Sequence, residues 1–237
     1  MSKILALFPA FNEEKKIGKA ISSIPEGVVS EIVVVDDGST DETARVARET
    51  GATVVANATR LGVGSSIRKG IDYARKNGFS IIVILAGNGK DDGRQIPLLT
   101  KQISDNGYDF VQGSRYLKGG HFGRMPLYRQ VATRYIHPLL LSFVSGKRIT
   151  DSTNGFRAIR LRIFDDTRID KDQRWLDNYE LEVYLLYKVI KLGYKVTEAP
   201  VSKIYPPKSL GYTKMKPITG WWSILRPIFL LWLGIKK

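Results

Sequence analysis

The sequence lacks cysteine altogether, which excludes disulfide bridges and any chemistry that depends on a thiolate. It has only two histidines, His121 and His137, and their spacing suits neither a pair of metal ligands nor a catalytic triad. Low-complexity linkers and internal repeats are absent as well. Of the 237 residues, 43% are apolar and 25% are charged, so we expect an ordered protein with a large core.

The sequence also lacks an uninterrupted apolar run long enough to span a membrane. Its start, KILALFPA, is strand-like, with no charged region before a long apolar stretch, so we expect no signal peptide. Arg226 and Pro227 interrupt the apolar tail, residues 215–237, and an arginine at that depth would cost about 2.5–3.5 kcal/mol on insertion scales. Two alternatives remain: an interfacial membrane segment, which the tail's tryptophans and terminal lysines favour, or a helix packed on the core or on a partner chain.

Positive charge is in excess, with a formal net charge of +14 at pH 7. Nucleic acid, anionic lipid headgroups and phosphorylated small molecules are the partner classes that such a charge suits. Aromatic residues are not interleaved with basic ones as in an RNA-binding sheet, so we expect no nucleic acid partner. Much of the positive charge follows Arg115, together with the apolar tail, and this arrangement favours a membrane surface.

The first 112 residues alternate strand-like and helix-like patterns. The strand-like segments are KILALFPA, EIVVVDD, ATVVAN, SIIVILA and DFVQGS, and helical patterns separate them. Ser39 followed by Glu42 predicts the start of one of these helices. The alternation predicts an α/β fold, a mostly parallel sheet with helices on both faces. Ligands of such sheets bind beyond the carboxyl ends of the strands.

The pattern changes after Gly113. RYLKGGHFGRMPLYRQ is basic and glycine-rich and predicts a loop, whereas ATRYIHPLLLSFVSG predicts an apolar helix that is interrupted near Pro138. TNGFRAIR predicts a further strand. YELEVYLLYKVIKLGY predicts a helix that ends at Gly193, and KVTEAPVSKIY predicts a strand pair or one bent strand.

Polar segments follow several of these strands. Each one alone is a weak signal, because Asp and Asn commonly end strands and cap helices. Together, the segments resemble the inverting family 2 glycosyltransferases of the GT-A fold, most closely the dolichyl- or polyprenyl-phosphate hexose synthases. The resemblance covers about residues 3 to 214 and rests on FPAFNEE, VVDDGSTDET, RLGVGSSIRKG, GSRYLKGG and DSTNGFRA.

The resemblance implies a domain organisation and an activity. Residues 1–214 would form the GT-A domain, with a nucleotide-sugar-binding half at 1–113 and an acceptor-binding half at 114–214, followed by the interfacial tail 215–237. The enzyme would transfer a hexose from a donor of the GDP-mannose or UDP-glucose type to a polyprenyl or dolichyl phosphate, with inversion at the anomeric carbon. It would be peripheral on the cytoplasmic face of a membrane, as a homo-oligomer or with a membrane-anchor partner.

The resemblance also assigns site residues. Those implied in nucleotide-sugar binding are Pro9, Phe11, Asn12, Glu13, Asp37, Asn88, Lys208 and Lys214. Arg115, Arg129 and Thr133 match positions that hold the acceptor phosphate, and the implied catalytic set is Asp91, Arg115 and Arg129. A phosphate nucleophile is already ionised at neutral pH, so the acceptor needs cations to position it rather than a general base.

The loop GNGKDD departs from the family pattern. Family members carry Asp-x-Asp here, and its outer acids bind Mg²⁺ or Mn²⁺; in this sequence those two positions are Gly87 and Gly89. Three interpretations remain. We favour a Mg²⁺ or Mn²⁺ ion held by Asp91 with Asn88 or Asp92; alternatively, Lys90 neutralises the charge without metal, or the protein binds nucleotide without catalysis.

Several other residues keep alternatives open. Asp92 would simply cap the helix that starts at Gly93 if it is not a ligand. Asp151 either orients arginines or ends a helix, His121 is placed to contact substrate, and we expect His137 to be structural. Glu180 and Glu182 could supply the carboxylate base of a hydroxyl-acceptor transferase. A third possibility is a non-enzymatic basic module that binds a membrane or nucleic acid.

Overall fold

The computed structural model describes residues 2–123, 125–205 and 219–236. Their strands form one seven-stranded sheet in the order β3-β2-β1-β4-β6-β5-β7. All strand pairs are parallel except those of β6, which runs antiparallel to both β4 and β5. The strands are β1 Ile4–Ala10, β2 Glu31–Asp36, β3 Thr53–Ala56, β4 Ile81–Ile84, β5 Phe110–Ser114, β6 Arg157–Arg160 and β7 Val196–Pro200.

Helices connect the strands of the first half and cover the sheet. They are α1 Ile17–Ser22, α2 Thr43–Glu49, α3 Val63–Lys76, α4 Ile96–Ser104, α5 Leu127–Val131, α6 His137–Ser145, α7 Glu180–Lys191 and α8 Thr219–Trp232. A wide helical turn over 132–136 joins α5 to α6, so the helix is irregular just before Pro138, as the sequence predicts.

Two apolar cores lie on opposite faces of the sheet. Alternate residues of β1 face opposite ways, so that Leu5 and Leu7 pack in one core and Ala6 and Phe8 in the other. The first core includes residues of α3, α6, α7 and α8, and the second those of α1, α2 and α4. Because both faces are covered, the central strands are apolar on both sides, and the predicted α/β layering is confirmed.

One predicted helix start is wrong. Helix α2 begins at Thr43 rather than after Ser39. The Ser39 hydroxyl hydrogen-bonds to the Asp36 carboxylate, so it is engaged at the end of β2 and does not cap a helix. The Asp41 carboxylate instead accepts a hydrogen bond of 3.0 Å from the Thr43 N–H. A hydrogen bond of Ser39 to the end of β2, three residues earlier in the chain, thus replaces the capping interaction.

The segment after β7 bends back across the sheet edge. Single bridges pair His121 with Ser202 and Asp91 with Lys203, which agrees with the bent-strand interpretation of KVTEAPVSKIY. The loop predicted over residues 115–130 is confirmed at 115–123 and 125–126, but α5 begins at Leu127. The bend matters for the site because it carries Lys203 next to the loop that follows β4.

Helix α8 packs one face on the chain's own core. Ile224 and Ile228 are buried there, and the Arg226 guanidinium donates a hydrogen bond of 2.9 Å to Glu180 on α7. The other face is apolar and open, with Trp222 58% and Trp232 54% exposed. In the described residues, every helix is too short or too polar to cross a bilayer.

Candidate active site

The loops after β1, β2, β4 and β5 surround one cavity at the carboxyl edge of the sheet. The cavity encloses about 300 Å³. Among the described residues, seven lysine and arginine side chains line it against three carboxylates, so it suits an anionic ligand. These charged residues are Glu13, Lys16, Asp37, Arg60, Lys90, Arg115, Arg129, Arg157, Glu182 and Lys203.

The loops after β1 and β3 contribute aromatic and charged groups to the cavity. The Arg60 guanidinium lies over the Phe11 ring, 4.2 Å from its centroid, and the two side chains line the cavity together with Pro9. Glu13 is paired with Lys16 at 2.6 Å, and both are largely buried. A flat ring with a guanidinium beside it offers a stacking surface for a planar ligand group.

Asp37 is a cavity residue whose carboxylate also shapes the neighbouring loop. It accepts hydrogen bonds from the Asn57 amide at 3.0 Å, the Leu61 N–H at 2.9 Å and the Gly62 N–H at 2.9 Å. These bonds fix the turn from β3 into α3. The adjacent residue Gly64 packs against the backbone that precedes α7, so the same turn ties the two halves of the cavity together.

Asn12 lies between two residues that line the cavity, Phe11 and Glu13, but does not itself line it. Its backbone has a positive φ of 51°, which is uncommon for a residue other than glycine but tolerated by asparagine. Its side-chain oxygen accepts a hydrogen bond of 2.9 Å from the Thr40 N–H, and its own N–H donates to Ser39 at 2.9 Å. The described contacts of Asn12 therefore brace the loop after β1 against the loop after β2.

The two acids of the loop after β4 are engaged by the protein itself. Asp91 is fully buried; it accepts a hydrogen bond of 2.8 Å from the Ala86 N–H and an ion pair of 2.5 Å from Lys203. Asp92 caps the following turn, accepting from the Arg94 N–H at 3.1 Å. The Arg94 guanidinium also pairs with Asp92 and lowers the pKa of its carboxyl.

The other predicted ligand, Asn88, lines the cavity, and its side-chain oxygen accepts from the Lys90 N–H at 3.3 Å. Across the described ranges, no three or more His, Cys, Asp or Glu side chains gather as a metal site would need. Lysine and arginine side chains outnumber carboxylates in the cavity instead. Burial and the nearby charges of Lys203 and Arg129 lower the pKa of Lys90 to about 7.

Arg115 is held in the cavity wall by Asp151. Its Nε donates to the carboxylate at 2.6 Å and its Nη2 at 2.8 Å, and a third bond of 2.7 Å goes from Nη2 to Thr153. Burial lowers the pKa of Arg115, but the charge and hydrogen bonds of Asp151 outweigh it and raise the pKa. The prediction that Asp151 orients an arginine is confirmed.

Arg129 and Thr133 lie on the same side of the cavity as Arg115. The Thr133 hydroxyl donates to the Arg129 carbonyl at 2.7 Å and lies 2.5 Å from the Tyr116 hydroxyl. The Arg129 guanidinium is 5.8 Å from the centroid of the Tyr205 ring. The three residues predicted for the acceptor phosphate are thus brought together by the fold.

Glu180 and Glu182 differ in position although both lie in the first turn of α7. Glu182 lines the cavity and pairs with the buried Arg157 at 3.2 Å. Glu180 faces α8, where it holds Arg226, and burial raises the pKa of its carboxyl. Only Glu182 is therefore placed to meet a ligand in this cavity.

The two histidines lie outside the lining of the cavity. His137 is fully buried between Ser152, 2.6 Å from Nδ1, and the Ile224 carbonyl, 3.2 Å from Nε2. Because a carbonyl only accepts, Nε2 carries the proton, and burial lowers the pKa of His137 to about 4. The expected structural function of His137 agrees with these contacts. His121 is exposed, and its ring stacks on Phe122.

Several cavity residues were not anticipated from the sequence. Arg60 and Arg157 lie within the motifs RLGVGSSIRKG and DSTNGFRA, so a charge count over those motifs would have found them. Lys203 and Tyr205 carry no such signal, because the bend after β7 places them. Lys208 and Lys214, implied in donor binding, lie outside the described residues.

Comparison with known families identifies the chain. Residues 6–168 match the family model described as Glycosyl transferase family 2, which is well over half of the sequence. The chain belongs to glycosyl transferase family 2. The predicted family is confirmed, and the protein is a glycosyltransferase.

Relatives of this glycosyltransferase have related names. It is 27% identical over 220 residues to the polyprenol monophosphomannose synthase of Mycolicibacterium smegmatis, covering 90% of this chain and 81% of that protein. It is 29% identical over 214 residues to the dolichyl-phosphate hexose transferase of Haloferax volcanii, covering 89% of this chain and 85% of that protein.

A solved structure shares the fold of this glycosyltransferase. Glucosyl-3-phosphoglycerate synthase from Mycobacterium tuberculosis, in complex with Mn²⁺, UDP-glucose and phosphoglyceric acid, superimposes with a TM-score of 0.74 at 19% identity. The match covers 100% of this chain and 81% of that one. The predicted GT-A fold is confirmed by this likeness.

Proposed function

We propose that this glycosyltransferase moves a hexose from a nucleoside diphosphate sugar to a polyprenyl or dolichyl phosphate. The names of its relatives support the lipid-phosphate acceptor. The observation that carries the proposal is that one cavity is lined both by Phe11 with Arg60 and by Arg115 with Arg129. The nucleotide would contact Phe11 and Arg60, and the acceptor phosphate would contact Arg115 and Arg129.

The donor half is assigned to residues 1–113 and the acceptor half to residues 114–214. In the donor half, Pro9, Phe11, Glu13 and Asp37 would contact the nucleoside, and Asn12 would brace the loop that carries them. Asn88 would lie beside the diphosphate. Lys208 and Lys214 remain part of the proposal from the sequence alone.

The acceptor phosphate would attack the anomeric carbon directly. A phosphate oxygen forms the new bond to that carbon as the bond to the diphosphate oxygen breaks, and the electron pair leaves with the nucleoside diphosphate. Because the nucleophile is already an anion, no proton has to be removed. Arg115, oriented by Asp151, and Arg129 would hold the phosphate in line, and the configuration would invert.

A divalent cation is expected from the family and is bound in the related solved structure. The described residues of the loop after β4 do not fit one. Asp91 is buried beneath Lys203, Asp92 is used as a cap, and Asn88 alone is a neutral single ligand. Since Mg²⁺ and Mn²⁺ prefer carboxylate oxygens, we derive no step of the reaction through a metal.

We further propose that the protein meets the cytoplasmic face of a membrane with the apolar face of α5, α6 and α8. The side chains exposed there include Leu139 at 71% and Phe143 at 75%, and Phe143 packs against Trp232 with ring centroids 6.4 Å apart. Contiguous exposed apolar surface of this kind is typical of membrane contact. Ile224 and Trp221, on the same helix α8, line the cavity, so a lipid phosphate would reach Arg129 from this side.

An assay of the transfer product tests this function. The purified protein is incubated with radiolabelled GDP-mannose, UDP-glucose or UDP-N-acetylglucosamine and with polyprenyl phosphate in detergent or vesicles. We expect label in the organic phase, in an acid-labile product. A hydroxyl acceptor is the alternative that Glu182 in the cavity keeps open, and it would give a stable, water-soluble glycan instead. Absence of any donor-dependent transfer would contradict the proposal.

A further inference from the structure

The loop after β4 is built for glycine where a metal-binding pair of acids would stand. A Cβ at Gly87 would lie 3.0 Å from the Ala10 Cβ and 3.1 Å from the Pro9 carbonyl oxygen. Gly89 has a φ of +68°, in the left-handed region that side chains disfavour. The backbone therefore leaves little room for a side chain at Gly87 and has at Gly89 a conformation that favours glycine.

Asp91, the one fully buried acid of this loop, already holds a cation. That cation is the Lys203 ammonium, 2.5 Å from Oδ1, while Oδ2 accepts from the Ala86 N–H. A divalent ion bound to the same carboxylate would have to displace the lysine or bind despite electrostatic repulsion from its ammonium group. The carboxylate thus serves to hold a lysine, and the lysine in turn lines the cavity.

Lys203 is fixed in this position by its backbone. Its N–H donates to the His121 carbonyl at 2.8 Å, and the next N–H, of Ile204, donates to the Lys90 carbonyl at 2.9 Å. The ammonium also donates to the Asn154 side-chain oxygen at 3.2 Å. An ammonium has three donors; two are used, and within the described parts of the chain the third has no acceptor.

Lys90 adds a second ammonium to the same part of the cavity. It comes from the β4 loop itself, lines the cavity, and lies 4.8 Å from the centroid of the Tyr205 ring. Lys203 is close enough that its charge acts on Lys90. Two like charges side by side in a largely buried site repel each other, and an anion with two negative groups relieves that repulsion.

We propose that the ammonium groups of Lys203 and Lys90 neutralise the donor diphosphate in place of a divalent cation, so that binding and transfer need no metal. This inference rests on the proposed function. As the bond to the anomeric carbon breaks, its electron pair passes to a diphosphate oxygen, and the charge that grows there is met by hydrogen bonds from the two lysines. Donors already in place for that charge lower the barrier as a bound cation would.

Metal dependence of nucleotide binding is the first test. Calorimetry measures the affinity of the full-length protein for UDP and GDP in EDTA and then in excess Mn²⁺ or Mg²⁺. We expect the nucleotide that binds to do so with the same dissociation constant, within about twofold, under each condition. Binding that appears only with the metal would overturn the inference and leave the proposed function standing.

Substitution of the lysines is the second test. Lys203→Gln and Lys90→Gln should each weaken diphosphate binding about tenfold or more in EDTA, because a charge-assisted hydrogen bond is lost. Lys101→Gln, an exposed lysine on α4, removes the same charge away from the cavity and should have no effect. Binding of the parent nucleoside should stay unchanged, which shows that the variants fold. Equal diphosphate affinity in Lys203→Gln, Lys90→Gln and Lys101→Gln would refute the inference.

Asp91→Asn separates the two uses of this carboxylate. If Asp91 positions Lys203, the variant loses diphosphate affinity by the same factor in EDTA and in Mn²⁺. If Asp91 is a metal ligand, the variant loses only the part of the affinity that Mn²⁺ adds, and the inference fails. Absence of both nucleotide binding and sugar transfer in the unaltered protein would instead remove the proposed function itself.

Discussion

Replacing His137 with glutamine should change how the protein responds to acid. The imidazole joins three elements, since it lies on α6, accepts from Ser152 in the DSTNGFRA segment and donates to the Ile224 carbonyl on α8. It is fully buried and held neutral, with its pKa lowered from 6.5 to about 4 because burial disfavours the charged form. The unfolded chain therefore binds a proton at a pH at which the folded protein does not.

The magnitude follows from these two pKa values. Well above pH 6.5 the histidine is neutral in both states, so it adds no pH dependence. As the pH falls, protonation favours the unfolded state, and the free energy of unfolding decreases by about 2 kcal/mol at pH 5 and by about 3 kcal/mol at pH 4. Glutamine does not titrate, so the variant should lack this part of the acid sensitivity.

Urea unfolding at several pH values measures this difference. Trp221, Trp222 and Trp232 lie on α8, so tryptophan fluorescence reports on the helix that His137 holds. We expect the stability of the unaltered protein minus that of His137→Gln to decrease by about 3 kcal/mol as the pH falls from 7 to 4, whatever this difference is at pH 7. His121→Gln, at the exposed histidine, is the matched control. Parallel curves for the unaltered protein and His137→Gln would refute the reasoning.

Three other substitutions test the site and its surroundings. Asp151→Asn leaves Arg115 buried without its anion, so urea unfolding should show a loss of about 3–5 kcal/mol; a loss below about 1 kcal/mol would contradict the pairing. Gly64→Ala places a Cβ 1.9 Å from the Leu176 carbonyl oxygen, and this contact with backbone should lower the unfolding free energy by about 1–3 kcal/mol and lower the melting temperature. Phe143→Ser should reduce binding to anionic vesicles about tenfold without changing nucleotide affinity; unchanged vesicle binding would argue against the membrane face.

The sheet and the edge that carries the site follow from patterns that are local in the sequence. Continuous apolar strands alternate with amphipathic helices, and this fixes a parallel sheet with polar loops at one edge. The contacts of the loop after β4 could not be predicted from the sequence for a physical reason. Asp91 meets Lys203 across 112 residues, through a bend after β7 that has no counterpart in composition or periodicity.

The start of α2 is a second case in which a contact of the folded protein differs from the one that the local sequence predicts. Ser39 and Glu42 have the spacing of a capping box, but Ser39 is drawn to Asp36 and to the Asn12 N–H. Local signals compete with partners that only the fold supplies, and at a ligand-binding edge those partners are polar and numerous. The position of the site at the sheet edge can therefore be predicted from the sequence, whereas the hydrogen-bond partners of individual residues such as Ser39 depend on the fold.

Most acids in and around the cavity have a common use. Four of them each support a cation, in the pairs Glu13–Lys16, Asp91–Lys203, Asp151–Arg115 and Glu182–Arg157, whereas Asp37 accepts from neutral groups. A carboxylate that holds a lysine or arginine in place reduces the side-chain freedom lost when an anion binds. In the described part of the chain, seven lysine and arginine side chains line the cavity against three carboxylates, so positive charge is in excess there. A diphosphate and a second phosphate carry the negative charge that would balance this excess, so one cation-rich cavity is suited to hold donor and acceptor together.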